Sequence, residues 1–204
     1  MNIVIDLGNS SLKVALFEKK KLVEKFIFTN YKFSDISNIF KKNSIQNSII
    51  SNVSNLDENI INFLKSNSNL ISINQTTNLL FTNLYKTKTS LGSDRVALVS
   101  AASLDFSNEN VLIIDAGTCI TYDFKNNKNE YLGGGISPGI KMRFKSLNKE
   151  TANLPLSTTN FNHKLIGNDT LSSINSGVIN GVVFEIEGVI NQYNDRFKNI
   201  KIIL

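Results

Sequence analysis

Cysteine and histidine each occur once in the 204 residues, and Arg95, Arg143 and Arg196 are the only arginines. With Cys119 alone, an intramolecular disulfide and a zinc site of several thiolates are both excluded, and the residue reads as a small buried side chain rather than a nucleophile. His163 lies in a polar stretch, so the candidates for general-base work are carboxylates. No G-x-x-x-x-G-K-[ST] segment occurs, which excludes a Walker-type phosphate cradle. No apolar run approaches the roughly 20 residues of a membrane span, and no charged signal-peptide head precedes the first strand, so a cytoplasmic protein is expected. The net charge of +5 comes from lysines scattered among asparagines, with Lys19, Lys20 and Lys21 in one turn. That pattern predicts a solvated surface rather than a nucleic-acid face. A hydrophobic content of 41% suits one or two soluble domains with a real core.

What is present is one turn written twice. "VIDLGNSSLKVALF" from Val4 and "IIDAGTCITYDF" from Ile113 each run from a β-branched strand to an aspartate, then a glycine two residues on, then hydroxyl or amide side chains and a second alternating run. Gly8 and Gly117 are expected to turn the backbone with positive φ and to leave room for an anion. Asn9, Ser10, Ser11, Thr118 and Thr121, with the turn N–H groups, then surround phosphate oxygens. Asp6 and Asp115 are left to hold the metal ion or water that accompanies the phosphates.

The runs Asn2–Asp6, Leu12–Phe17 and Leu22–Phe28 predict a three-stranded meander, followed by a helix capped near Ser34 with Phe33, Ile36, Ile39 and Phe40 on one stripe. Strand Ser48–Val53, a helix opened by Asn55 with Glu58 completing a capping box, and strand Leu70–Ile73 follow, for a βββαβαβ order. Ser93 reads as the N-cap of a helix through Val96, Val99 and Ala102, which puts Asp94 and Arg95 in its first turn, beside the positive end of the helix dipole. The second half predicts strands at Val111–Asp115, Cys119–Phe124 and Glu130–Leu132. A helix started by Pro138 and carrying Ile140, Phe144 and Leu147 comes next. A polar loop from Ser157 to His163, a long helix from about Thr170 to Phe197 and a strand Ile200–Leu204 complete the reading, without a closing helix and strand. Gly177 and Gly181 leave a smooth strip on that long helix, open to core packing or to dimerisation.

The repeated plan with a phosphate turn at each start resembles the actin, hexokinase and sugar-kinase superfamily. It implies an α/β protein of duplicated RNase H-like (actin-like ATPase) domains, residues 1–105 and 106–204, each a mixed sheet, the second shortened at its C-terminus. The finer motifs resemble type III pantothenate kinase. They are "DLGNSSLK" (Asp6–Lys13), Tyr85 six residues before "LGSDR" (Leu91–Arg95), "DAGTCITYD" (Asp115–Asp123), "GGGISPG" (Gly133–Gly139), "TANLP" (Thr151–Pro155), and Thr170 ahead of Ser176 and Gly177. Two departures stand out: Lys88 replaces the proline of the tyrosine segment, and no Thr-Gly-Gly turn follows Lys201–Leu204.

The resemblance implies phosphoryl transfer from ATP to pantothenate, the first step of coenzyme A synthesis. Asp94 would be the base that takes the proton of the pantothenate hydroxyl. In a loose transition state that proton leaves late, so positioning counts for more than basicity. Tyr85, Gly92, Ser93 and Arg95 would contact pantothenate, Arg95 through its planar fork, and Thr170 would reach it from a partner subunit of a homodimer whose active site lies at the interface. Gly8, Asn9, Ser10 and Lys13 would line the first ATP turn, with Asp6 orienting Mg2+ through water, and Gly117 and Thr118 the second, with Asp115 at a monovalent cation, K+ or NH4+. The alternatives are a plain helix-dipole partner for Asp94, a helix-surface ion pair for Arg95, plain strand-end turn formers for Asp6 and Asp115, and, for the chain as a whole, a transcriptional accessory protein or a superfamily phosphatase. No membrane or nucleic-acid partner is expected.

Overall fold

The structure, a computed structural model, describes residues 1–54, 57–74, 77–161 and 164–204. The chain divides into two compact units, Met1–Leu79 with Lys86–Ser100, and Leu80–Tyr85 with Ala101–Leu204. Among the described residues no helix is long and apolar enough to cross a membrane.

The first unit opens with the meander β1 (Asn2–Leu7), β2 (Leu12–Glu18) and β3 (Lys21–Phe28), then α1 (Phe33–Lys42), β4 (Asn47–Asn52), α2 (Glu58–Asn67) and β5 (Asn69–Ser72). The sheet order is β3-β2-β1-β4-β5. β1 pairs antiparallel with β2 and parallel with β4, and β4 pairs parallel with β5. The period-2 pattern turns Ile3, Ile5, Leu7, Leu12, Val14 and Leu16 to a core closed by Ile36 and Ile39 of α1 and Ile60 and Leu64 of α2, each buried side chain stabilising by about 1.5–3 kcal/mol. The α1 start lies at Lys32 rather than near Ser34, because the Asp35 carboxylate accepts the Lys32 N–H at 2.7 Å. α2 is capped by Asp57, which accepts the Asn59 N–H at 2.9 Å. Asn55, the expected opener, lies outside the described residues. α3 (Ser93–Asp105) begins after a 3₁₀ turn at Lys88–Ser90, and the division between the units runs through it.

The second unit contains β6 (Thr82–Asn83), β7 (Asn110–Ala116), β8 (Cys119–Lys125), β9 (Glu130–Pro138), α4 (Ile140–Lys149), α5 (Thr170–Arg196) and β10 (Ile200–Ile203). Its sheet runs β10-β7-β8-β9-β6, with β10 and β6 parallel to their neighbours. Leu112, Ile114, Ile120 and Tyr122 pack on Val182 of α5, while Phe144 packs with Ile174, Val178 and Ile179. Neither β6 nor the full length of β9 was expected. Glycines disfavour strands, yet Gly133–Pro138 pairs with β8 as far as Cys119. Pro138 therefore ends a strand instead of opening α4, whose N-cap is Gly139. Lys125 is fully buried, its ammonium donating to the carbonyls of Phe106 at 2.5 Å and Glu109 at 3.1 Å and to Asn129 Oδ1 at 2.7 Å. Burial lowers its pKa from 10.5.

Candidate functional site

In the first unit the register places Asp6 opposite Ser51 and Leu7 opposite Asn52, at the carboxyl ends of the parallel pair β1 and β4. Ligands of α/β sheets bind at such strand ends. The turn that follows is closed by the Gly8 N–H donating to Ser11 O at 3.1 Å, with Asn9 and Ser10 exposed. Lys13 Nζ lies 3.4 Å from Asp6 Oδ2, the two side chains 52% and 36% exposed. Solvent screening keeps such a pair weak, so the Asp6 carboxylate stays open to competition by a ligand.

The same end of the sheet receives the start of α3. Ser93 does not cap the helix as expected. Its hydroxyl turns to β4, donating to Asn52 O at 3.1 Å and accepting from Asn52 N at 2.9 Å, with Ser51 Oγ 3.0 Å away. That bridge fixes the first turn of α3 against the strand end. Asp94 is half-buried, and its Oδ1 accepts the Arg95 N–H at 2.8 Å. A Cβ on Gly92 would fall 2.4 Å from Asp94 Oδ1, so the missing side chain at Gly92 makes space for that carboxylate. Arg95 is only 5% exposed, a buried position rather than one on the helix surface.

The second acidic turn joins β7 to β8. Asp115, Gly117 and Thr118 are exposed, and the Gly117 N–H donates to Cys119 O at 2.9 Å. Neither turn glycine has the expected positive φ, which among described glycines belongs to Gly133 alone. Thr121 is 9% exposed with its Oγ1 buried, and Cys119 is half-buried rather than buried. Behind this turn the Gly139 N–H donates to Thr118 O at 3.1 Å, and a Cβ on Gly139 would lie 2.4 Å from the carbonyl oxygens of Gly117 and Thr118.

Glu185 of α5 holds that corner. It accepts from Tyr122 Oη at 2.7 Å and Ser137 Oγ at 2.5 Å and forms a short ion pair with Arg143, whose Nε donates to Pro138 O at 2.8 Å. Burial acts to raise the Glu185 pKa, but the hydrogen bonds from Ser137, Arg143 and Tyr122 and the Arg143 charge outweigh it and hold the group below its ordinary value of 4.5. Burial first, then Glu185, pushes the Tyr122 hydroxyl well above the ordinary tyrosine range. Sequence reading missed this cluster because Glu185 looks like any polar position of a long helix. The signal available was Arg143, an arginine in a chain whose cations are otherwise nearly all lysine.

Tyr85 is half-buried and stacked on Tyr131. Thr170 is exposed at the start of α5, next to the cap Asp169, whose carboxylate accepts the Ser172 N–H at 3.0 Å. His163 lies outside the described residues. Among the described residues no group of three His, Cys, Asp or Glu side chains could hold a metal ion by itself. A lone carboxylate such as Asp6 still fits Mg2+, which keeps several waters and takes further oxygens from phosphates.

Residues 2–192 match the family model described as type III pantothenate kinase. The chain is 49% identical over its full length to the type III pantothenate kinase of Christiangramia forsetii, spanning 84% of that protein, and 38% identical over its full length to the one from Flavobacterium johnsoniae, again spanning 84%. Among solved structures, a Campylobacter jejuni protein described as a candidate Baf family transcriptional activator superposes with a TM-score of 0.58 at 22% identity, covering 99% of this chain and 90% of that one. A candidate 2-dehydro-3-deoxygalactonokinase from Sinorhizobium meliloti gives 0.54 at 11% identity, covering 99% and 85%. These two likenesses are of fold: an α/β chain with two mixed sheets, shared with sugar kinases.

Proposed function

The chain belongs to the type III pantothenate kinase family, and we infer that it transfers the γ-phosphate of ATP to the primary hydroxyl of pantothenate, giving 4'-phosphopantothenate at the start of coenzyme A biosynthesis. The observation that carries the site assignment is the placement of Asp94. The Ser93 bridge to Asn52 sets it at the strand end that also bears the Asp6–Ser11 turn.

In this reading Asp94 accepts the hydroxyl proton as the oxygen attacks phosphorus. It also orients that oxygen, which matters more than basicity when the transition state is loose. Arg95, Gly92, Ser93 and Tyr85 bind pantothenate. Gly8, Asn9, Ser10 and Lys13, with Gly117 and Thr118, receive the ATP phosphates. A Cβ at Gly8 would meet only Ser11 O at 3.6 Å, and one at Gly117 nothing closer than 3.8 Å. Neither φ nor internal packing therefore demands glycine there, which supports space kept for a ligand. Mg2+ bound with ATP would neutralise phosphate charge, with Asp6 holding one of its waters. Asp115, exposed at a strand end, suits a monovalent cation, K+ or NH4+.

The two sheets read as copies of one RNase H-like plan, because β10 lies parallel beside β7 as β4 does beside β1. A homodimer that brings Thr170 to the partner's site is supported by α5. Among the described residues nothing outside the adjoining turns of α5 lies within 4 Å of a Cβ placed on Gly177 or Gly181, and Val183 and Phe184 are 43% and 58% exposed. The cytoplasm, where ATP is available, is the proposed location. The likeness to a transcriptional activator candidate, at 22% identity, is one of fold and lends the regulatory alternative nothing.

The test is ADP release by the full chain with and without pantothenate and potassium. Pantothenate-dependent turnover is expected, reduced by at least ~100-fold in Asp94→Asn. Turnover indifferent to pantothenate sinks the kinase reading, and an unaffected variant sinks the base.

A further inference from the structure

The Tyr85 ring rests against two buried residues, Tyr131 and Gly133. β6 pairs in parallel with Glu130–Tyr131 of β9. Thr82 N–H donates to Asn129 O at 2.8 Å and Leu84 N–H to Tyr131 O at 3.0 Å. Asn83 Oδ1 then accepts the Tyr85 N–H at 2.9 Å, which fixes the backbone from which the ring projects. The ring lies over Gly133, where a Cβ would come 3.3 Å from Tyr85 Cδ2 and 3.4 Å from Cε2, at a φ of +106° that side chains rarely adopt. Its face stacks on Tyr131, with centroids 6.0 Å apart and planes 21° apart.

Tyr131 is itself locked. It has 0% exposure, Phe81 meets it edge-on at 5.8 Å, and its hydroxyl donates to the fully buried Asp123 at 2.6 Å. Nothing in local sequence requires so rigid a support for a half-buried tyrosine. Lys88 stands in the segment after Tyr85 and does not stiffen it as a ring-locked φ would. The short strand and the ring stack supply the stiffness instead.

We propose that Tyr131 and Gly133 are positioning residues for acceptor binding, setting the angle at which Tyr85 meets pantothenate without touching it themselves. The proposal rests on the reading that Tyr85 contacts pantothenate. Tyr131→Leu removes both the stack and the Asp123 bond, whereas Tyr131→Phe keeps the stack. An aromatic contact of this kind corresponds to a rise of about fivefold in KM for pantothenate in Tyr131→Leu, with KM for ATP within about twofold and most of the loss recovered in Tyr131→Phe. Gly133→Ala, which pushes the ring without altering the Tyr131–Asp123 pair, gives the same selective rise and replaces Tyr131→Leu should that variant not fold.

In a Tyr85→Leu background Tyr131→Leu adds nothing further to that KM, because its effect passes through the missing ring. The Tyr85 ring-proton shifts, displaced by the neighbouring Tyr131 face, move in Tyr131→Leu and stay in Tyr131→Phe. Equal rises in both KM values, or full additivity with Tyr85→Leu, overturn the proposal. Unmoved ring shifts overturn the positioning alone, while ADP release that ignores pantothenate in the unaltered chain overturns the functional reading and the acceptor role with it.

Discussion

In the Asp6–Ser11 turn four residues cross between β1 and β2, the carboxylate is answered by an exposed lysine, and a Cβ on Gly8 would find ordinary space. In the Asp115–Cys119 turn only two residues cross. Gly139 presses on the turn carbonyls from behind, and the Arg143–Glu185 pair ties that support to α5. In the proposed reading the second turn meets the phosphates with a backbone braced from behind, which the first turn lacks, so whatever disturbs that support should cost binding without touching the ligand.

The largest expected effect is at that support. Gly139→Ala drives a Cβ into two backbone oxygens at 2.4 Å, and neither can step aside as a side chain would. A loss of about 1–3 kcal/mol in urea unfolding is expected, together with a higher KM for ATP. Gly8→Ala is the control. Its stability should stay within about 0.5 kcal/mol while KM for ATP still rises, since the added methyl takes ligand space rather than protein space. Equal destabilisation by the two would erase the distinction between the turns.

Glu185→Gln comes next and carries a pH signature. The Glu185 pKa is depressed below 4.5, so the stabilisation linked to its charge is present above that value in the folded chain. It fades as pH falls through the lower folded value, because the unfolded state takes up its proton first. The variant should lose about 0.5–1.5 kcal/mol near neutral pH and converge on the unaltered chain in acid, read by urea unfolding across pH. The smallest effect is at the exposed partner of the other turn. Lys13→Met should change stability by less than about 1 kcal/mol yet weaken ATP binding in a salt-dependent way, measured by titration at two ionic strengths.

Much of this was legible in the chain itself. The β-branched runs ending at Asp6 and Asp115 announced strands and turns, and the stripe Phe33, Ile36, Ile39 and Phe40 announced α1. Gly133–Pro138 was harder, because glycines carry no strand signal and only pairing with β8 makes them one. Ser93 misled for a related reason. A serine before an apolar helix reads as a cap, but here its hydroxyl found Asn52, 41 residues away, instead of its own helix. The candidate residues were recognisable by their motifs, while what holds them was not: Ser51 behind Ser93, Tyr131 beneath Tyr85, Glu185 across from Arg143.

Most of the strands and helices, the two acidic turns and the family membership are set by local pattern and motif, which need no knowledge of what packs where; β6 and the glycine-rich end of β9 are the exceptions, made strands by pairing alone. The angle of the Tyr85 ring, the anchoring of Asp94 and the bracing of the second turn were decided only on folding. Each depends on contacts between residues some 40 or more positions apart, such as Ser51 with Ser93 and Arg143 with Glu185. Periodicity fixes the face a side chain shares, and only the closed sheet chooses the partner it meets there.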